Sequence, residues 1–166
     1  MQNRQIITTN HIRKIEDRTM EFIISDGSVD SHGSILNPGG WDLSRFEKNG
    51  IFGYQHNVGG ATDPDYILGA ARAYVENDKL IGIATFETED VNPLAEKIFK
   101  KVKAGTLKAV SVGFIPKKSH RENDVIVYDE MELIEFSIVN VPSNPNAVKR
   151  SISETRKRYN NILNYL

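Results

Sequence analysis

Three side chains on separate segments have the chemical types that acyl transfer by an oxygen nucleophile requires. Ser111 lies in "KAVSVGFI", His56 in "GYQHN" and Glu135 in "ELIEFSIVNV". In such a set the hydroxyl attacks a carbonyl carbon and the imidazole takes its proton, while the carboxylate orients the imidazole and stabilises its charged form. The residue types alone make this a hypothesis, because nothing in their spacing shows that the three segments meet.

Strand alternation gives Ser111 small neighbours. Every second side chain of a strand points to the same face, so Ala109, Ser111 and Gly113 share one side of "KAVSVGFI". A hydroxyl between Ala and Gly is accessible to a bulky substrate, as a nucleophile must be. The alternative is a small hydrogen-bonded filler, which is the commoner role of a serine within a strand.

The same alternation places Glu135 on an otherwise apolar face. The side chains grouped with it in "ELIEFSIVNV" are Leu133, Ser137, Val139 and Val141. A buried carboxylate needs a partner, and a histidine ring N–H would suit it. A salt bridge to Arg or Lys, or an edge strand that leaves Glu135 in water, are the alternatives. His56, a lone histidine where a strand meets a loop, is equally compatible with an ordinary polar role.

Bulk composition indicates one soluble domain and narrows the chemistry. The chain has 166 residues, is 39% hydrophobic and 26% charged, and carries a formal net charge of -1, so nothing in it demands nucleic acid or an anionic membrane. No apolar stretch suits a membrane span or a signal peptide, which favours the cytosol. The absence of cysteine excludes thiolate nucleophiles and disulfides. The four histidines are scattered without metal-ligand spacing, so we expect neither a metal nor another cofactor.

The pattern of elements predicts a β-rich α+β domain without regular βα alternation. Residues 20–26 are typical of a strand, and residues 40–50 of a short helix or turn. Residues 66–87 predict a hairpin around Asn77 and Asp78, whose types tolerate left-handed turns. The segment "VNPLAEKIFKKVKAG" predicts a helix with Asn92 as N-cap and Gly105 as its stop signal.

Two further strands and a helix are predicted in the C-terminal half. The strands are "LKAVSVGFIPK" and "DVIVYDEMELIEFSIVNV", with "KSHREN" as a polar loop between them and a bend near Asp129 and Glu130 in the second. Residues 151–166 have the apolar stripe of an amphipathic helix, packed on the domain or used in assembly. The predicted organisation is therefore one domain over residues 1–150 followed by this helix.

Three segments carry a resemblance to a known family. They are "VDSHGSILNPGGWDLSRFEKNGIFGYQHN", the helix end and strand "AGTLKAVSVGF", and "ELIEFSIVNVPSNPNA". In order and spacing they resemble the HK97-type prohead proteases of tailed bacteriophages, which are head maturation serine proteases. The resemblance covers about residues 20–150, and its closing segment is the most specific part.

The resemblance implies roles for particular residues. Carried over to this sequence, the nucleophile is Ser111, the base His56 and the orienting acid Glu135. Ser137 is a rival nucleophile, although its bulky neighbours make it less accessible. The related herpesvirus assembly proteases use a second histidine as third member, and the only later histidine here is His120, which ranks below Glu135. Asn57 stands where many relatives have Asp, a departure outside the triad.

The resemblance also implies a fold and a function. The fold is a barrel-like sheet core with a few peripheral helices, similar to herpesvirus proteases. The function is a serine endopeptidase that needs no cofactor and acts in the bacterial cytoplasm inside an assembling phage head. Its substrates are scaffold or the scaffolding segment of the major capsid protein, and a homo-oligomer is compatible with this role.

Two other functions stay open on the sequence alone. One is a noncatalytic head-assembly or scaffold-binding protein that keeps the protease fold, which would not require the three side chains to be close. The other is a hydrolase of small esters or amides unconnected to capsids.

Overall fold

The computed structural model describes residues 17–60 and 63–150. Within them lie eight strands and two α-helices, with 3-10 turns at Pro38–Gly40 and Pro64–Tyr66. In chain order the elements are β1 (Thr19–Asp26), β2 (Ser34–Leu36), β3 (Trp41–Asp42), α1 (Ser44–Lys48), β4 (Ile51–Tyr54), β5 (Ile67–Glu76), β6 (Lys79–Phe86), α2 (Pro93–Lys103), β7 (Ala109–Glu122) and β8 (Val125–Val139). The predicted β-rich α+β class is confirmed.

The strands form one curled sheet organised around β8. The order of the sheet is β1-β6-β5-β4-β8-β2, and β3 and β7 also pair with β8. One edge of β8 pairs with antiparallel β7 along nearly its whole length. Its other edge is covered in turn by the parallel strands β2, β3 and β4. Because β4 and β7 flank the same end of β8, side chains from all three strands can meet there.

The short segment of residues 147–150 links β7 and β1, the strands at the two ends of the curled sheet. Val110 N donates to Ala147 O at 3.0 Å on the β7 side, and Ile23 N donates to Val148 O at 3.0 Å on the β1 side. Arg150 continues along β1, with its backbone N donating to Glu21 O at 2.9 Å. The segment therefore pairs with the backbones of β7 and β1 at once.

Aromatic side chains fill the inside of the curl. Phe22, Phe52 and Phe136 are fully buried, and the rings of Phe52 and Phe136 lie 5.1 Å apart. Helix α2 covers one side with Phe99, whose ring lies 5.4 Å from that of Phe86. Burial of these large rings removes much apolar surface from water and gives the sheet a rigid interior.

Several local predictions are confirmed. The β5–β6 hairpin turns at Asn77 and Asp78, whose φ values of 50° and 56° are left-handed. Helix α2 begins after Asn92, whose side chain accepts from Ala95 N at 2.9 Å, and the chain leaves the helix through Gly105 at φ 81°. Helix α1 lies within the segment predicted as a short helix or turn.

One local prediction is wrong and another is confirmed in part. The segment "KSHREN" is not a loop, because β7 continues to Glu122 and the connection to β8 is a tight turn at Asn123 and Asp124. The long β7–β8 pairing supplies the strand backbone with partners that a polar sequence does not reveal. Strand β8 does not break at Asp129 and Glu130, but a bulge lies there: Lys118 and Ser119 pair with Glu130 and Tyr128, which leaves Asp129 as an extra residue and agrees with the predicted bend.

A bulge corrects the predicted alternation of β8. Gly113 and Phe114 of β7 pair with Glu135 and Leu133, so Ile134 is an extra residue. Leu133 consequently lies in the core with Phe136, and the prediction that it shares a face with Glu135 is wrong. Strand β8 also ends at Val139, before Val141. The predicted helix at residues 151–166 lies outside the described residues, and the domain boundary at residue 150 stays a prediction.

Candidate active site

His56 stands on a left-handed turn directly after β4. Gln55 and His56 have φ values of 55° and 58°, which are uncommon for residues with a side chain. The turn is fixed at both ends, because Gln55 N donates to Ile138 O at 2.9 Å and Asn57 N donates to Tyr54 O at 3.1 Å. The pairing of β4 with β8 therefore sets where the imidazole lies.

The imidazole of His56 contacts the carboxylate of Glu135. The distance from His56 Nδ1 to Glu135 Oε1 is 2.6 Å, with the histidine side chain 41% exposed and the glutamate side chain 7% exposed. The hydrogen bond from Glu135 raises the pKa of His56 above its ordinary value of 6.5, against the opposing effect of burial. Because Nδ1 faces the carboxylate, Nε2 is the ring nitrogen left for a substrate or nucleophile.

Glu135 lies in a cradle made by small residues. Ser137 is fully buried and its Oγ donates to Glu135 Oε2 at 2.6 Å, so each carboxylate oxygen has its own partner. Gly113 pairs with Glu135 across the sheet, and a Cβ at Gly113 would collide with the carboxylate. Two short hydrogen bonds compensate a buried charge that would otherwise be costly.

Ser111 faces the same region from β7. It pairs with Ser137 across the β7–β8 ladder, two pairs along from Gly113 and Glu135. It is half-buried and shares with His56 a cleft of about 300 Å³, which we name the Ser111 cleft. Within the described part of the chain, no hydrogen bond joins Ser111 to His56. The structure thus brings His56 and Glu135 into contact and places Ser111 and His56 on one cleft.

Two loops form part of the wall of the Ser111 cleft. Its further lining includes Ser28, Asp30, His32, Ser143 and Asn144. The loops are tied together, because Ser31 N donates to Ser143 O at 2.9 Å and His32 Nε2 lies 3.1 Å from Ser143 Oγ. Asn144 Nδ2 also donates to Asp26 Oδ1 at 2.9 Å. This wall was missed by sequence reasoning, since its two halves lie more than 100 positions apart.

The rival residues have other partners. Ser137 is fully buried and its hydroxyl is bonded to Glu135, so it supports the carboxylate and is not accessible to a substrate. His120 lies far out on β7, where its Nδ1 is 2.7 Å from Asp129 Oδ2. From Ser111 to His120 an extended strand runs roughly 30 Å, which is too far for a shared site. The support by Ser137 could have been inferred from the Glu-x-Ser spacing, which puts both side chains on one face.

Other kinds of site are not seen in the described ranges. Among residues 17–60 and 63–150, no group of three or more His, Asp or Glu side chains could hold a metal ion. No helix in those ranges is long and apolar enough to cross a membrane.

Comparison with known proteins decides the family. The family described as Caudovirus prohead serine protease has a model that matches residues 63–160, which is more than half of the chain. The chain belongs to this family. The resemblance inferred from the three segments is thereby confirmed, and the protein is assigned to the proteases of phage head maturation in general. No curated protein and no solved structure matches the chain.

The matched residues of this prohead protease family member include Ser111, Glu135 and Ser137. His56 lies before them, so its place in the site rests on the contact with Glu135 and on the Ser111 cleft. The match does not by itself assign a role to any of these side chains.

Proposed function

We propose that the protein is a serine endopeptidase in which Ser111 is the nucleophile, His56 the general base and Glu135 the orienting acid. The observation that carries the proposal is the 2.6 Å contact between His56 Nδ1 and buried Glu135, beside a cleft that His56 shares with Ser111. Membership of a serine protease family independently calls for a serine nucleophile. Ser111 is favoured over Ser137 because only Ser111 borders open space.

The proposed acyl transfer uses the two nitrogens of the His56 imidazole differently. His56 Nε2 takes the proton of Ser111 as its Oγ attacks the peptide carbonyl carbon, and the same proton is later given to the leaving amine. Positive charge develops on the ring during attack, and Glu135 stabilises it through the bond at Nδ1. The raised pKa of His56 expresses the same stabilisation in the resting protein. Ser137 keeps Glu135 in the orientation that this step requires.

The proposed substrates are the scaffold and the scaffolding segment of the major capsid protein. The family is one of head maturation, which supports a substrate within the assembling prohead in the bacterial cytoplasm. A sheet similar to that of the herpesvirus assembly proteases, and a homo-oligomer in the prohead, are further parts of the proposal.

Co-expression with the phage's own capsid and scaffold proteins tests the proposal. The parent should shorten at least one of them, while Ser111→Ala should leave both intact and remain bound to the assembling particles. Alanine fits between Ala109 and Gly113, so thermal unfolding should match that of the parent. Cleavage by Ser111→Ala at the parent's rate would refute the assignment of the nucleophile. Assembly that needs the protein but shows no cleavage by the parent would favour the noncatalytic function.

A further inference from the structure

A second cavity, which Ser111 does not line, lies against the His56–Glu135 pair. Its volume is about 260 Å³, and among residues 17–60 and 63–150 His56 alone lines both this cavity and the Ser111 cleft. Three half-buried aliphatic side chains, Ile51, Val58 and Ile134, form much of its wall. We name it the aliphatic cavity.

The position of the imidazole gives the aliphatic cavity a place in the reaction. In acyl transfer by a serine, the general base lies between the nucleophile and the leaving amine, to which it passes the proton. The part of a substrate that follows the scissile bond therefore continues past the imidazole. Since the Ser111 cleft and the aliphatic cavity meet at His56, a chain that passes Ser111 reaches this cavity next.

We infer that the aliphatic cavity binds the side chain of the residue directly after the scissile bond, and that it selects an aliphatic side chain. This inference rests on the proposed function. A leucine-sized side chain would cover the exposed parts of Ile51, Val58 and Ile134, which removes apolar surface from water. A cationic side chain is disfavoured because Arg45 also borders the cavity, while the charge of Glu135, which lines it too, is already bound by His56 and Ser137.

Two features of β8 and the histidine turn build the cavity. The bulge makes Ile134 an extra residue beside Glu135, so its side chain joins the cavity wall and not the ladder with β7. Val58 packs over Gly53, where a Cβ would collide with the Val58 side chain. The bulge beside Glu135 and the turn that carries His56 thus also build the pocket next to this pair.

Partition of an acyl-enzyme between water and added amines tests the inference on the full chain. The acyl donor is p-nitrophenyl acetate, which should give a burst of nitrophenol with the parent and none with Ser111→Ala. The amines are the amides of glycine, leucine and lysine. The amine nitrogen attacks the acetyl carbon, the bond from that carbon to Ser111 Oγ breaks, and His56 carries the proton from the amine to Ser111. The measured quantity is the ratio of acetylated amide to acetate.

Leucinamide should exceed glycinamide in this ratio by about tenfold or more, because missing methylene groups in an apolar pocket each cost substantial discrimination. The ratio for lysinamide should remain close to that for glycinamide. Val58→Thr puts a hydroxyl into the cavity wall at constant shape and should lower the preference for leucinamide severalfold. Val75→Thr makes the same substitution on the exposed part of β5, outside both cavities, and should keep the parent's preference.

The possible outcomes distinguish failure of the aliphatic subsite from failure of the proposed protease function. A burst that depends on Ser111 with equal use of the three amides, or a preference that Val58→Thr leaves intact, overturns the aliphatic subsite and leaves the protease assignment standing. Release of nitrophenol by the parent no faster than by Ser111→Ala contradicts the activated Ser111 itself, and the subsite fails with it.

Discussion

Strand β8 supplies the carboxylates of two histidine–carboxylate contacts that have nearly equal lengths but different surroundings. His56 Nδ1 lies 2.6 Å from Glu135, and His120 Nδ1 lies 2.7 Å from Asp129. The side chain of Glu135 is 7% exposed, whereas that of Asp129 is 26% exposed. Glu135 also accepts from buried Ser137, and its histidine borders the Ser111 cleft. A short histidine–carboxylate contact is therefore not enough to indicate an active site.

The two contacts differ in how far the neighbouring strands shield the carboxylate from water. Near the tip of the β7–β8 hairpin, β7 is exposed from Ile115 onward, whereas β8 is half-buried beside β2. The side chains of His120 and Asp129 therefore keep 51% and 26% of their surface exposed. At the other end β4 covers β8, which excludes water from Glu135 and places the histidine turn above it. In the low-dielectric position the carboxylate acts more strongly on its partner.

Removal of each histidine should give the largest difference between the two pairs. We expect His56→Ala to lower the rate of capsid or scaffold cleavage on the order of 10⁴-fold or more, because the variant loses the general base that takes the proton of Ser111. His120→Ala should keep the parent's rate. Both are measured with purified protein and substrate at equal stability in thermal unfolding. Equal losses in the two variants would show that the pairs do not differ in function.

Replacement of each carboxylate by its amide should give the next largest difference. Glu135→Gln keeps the shape but removes the charge that stabilises the imidazolium, and its amide NH2, where it faces Nδ1, selects the wrong tautomer of His56. We expect a rate loss on the order of 10²-fold or more, by analogy with acid-to-amide changes in triads. Asp129→Asn is the matched control and should cost little. Full activity of Glu135→Gln would remove Glu135 from the triad.

Ser137→Ala should have a smaller effect on rate and a clear effect on stability. The buried carboxylate of Glu135 loses one of its two partners, which costs about 1–3 kcal/mol in the free energy of unfolding. A less well-held Glu135 should slow cleavage about tenfold, through kcat more than KM. Ser119→Ala, on the exposed part of β7, should change stability by less than about 0.5 kcal/mol. Complete loss of activity in folded Ser137→Ala would return Ser137 to consideration as the nucleophile.

The pH dependence should give the smallest shift and the most specific one. His56 must be neutral to act as a base, and its pKa is raised above 6.5 by Glu135. The acid limb of kcat/KM should therefore have its midpoint above pH 6.5, and Glu135→Gln should move that midpoint down. The contribution of the His56–Glu135 pair to the free energy of unfolding depends on pH in the opposite direction to the rate. It is fully present below pH 6.5 and is lost as the pH rises through the raised pKa of His56. An acid limb that Glu135→Gln leaves in place would mean that another group controls it.

Local chemistry explains which parts of this account could be predicted from the sequence. The turn at Asn77–Asp78 and the Asn92 cap are set by neighbouring residues, and both were found. The partner of Glu135 could be proposed because a buried carboxylate demands one, and because motifs of the family suggested His56. The contact itself is now seen in the structure, while the catalytic roles of Ser111, His56 and Glu135 remain to be tested.

The misses all depend on pairing between distant segments. The strand character of "KSHREN" comes from its ladder with β8, and the position of Leu133 from a bulge that appears only when β7 and β8 are aligned. The roles of Ser137 and Gly113 follow from the same register, since both act on one carboxylate from adjacent strands. Alternation within one strand cannot reveal such cross-strand relations.

Labelling with a fluorophosphonate, followed by mass spectrometry of the labelled peptide, tests the central claim most directly. The reagent reacts with a serine that a neighbouring base has activated, so it reports the nucleophile and its dependence on His56 without any knowledge of the substrate. The account predicts modification of Ser111 in the parent and in His120→Ala, much slower modification in Glu135→Gln, and none in His56→Ala. Modification of Ser137, or labelling of Ser111 at the same rate in His56→Ala as in the parent, would contradict it.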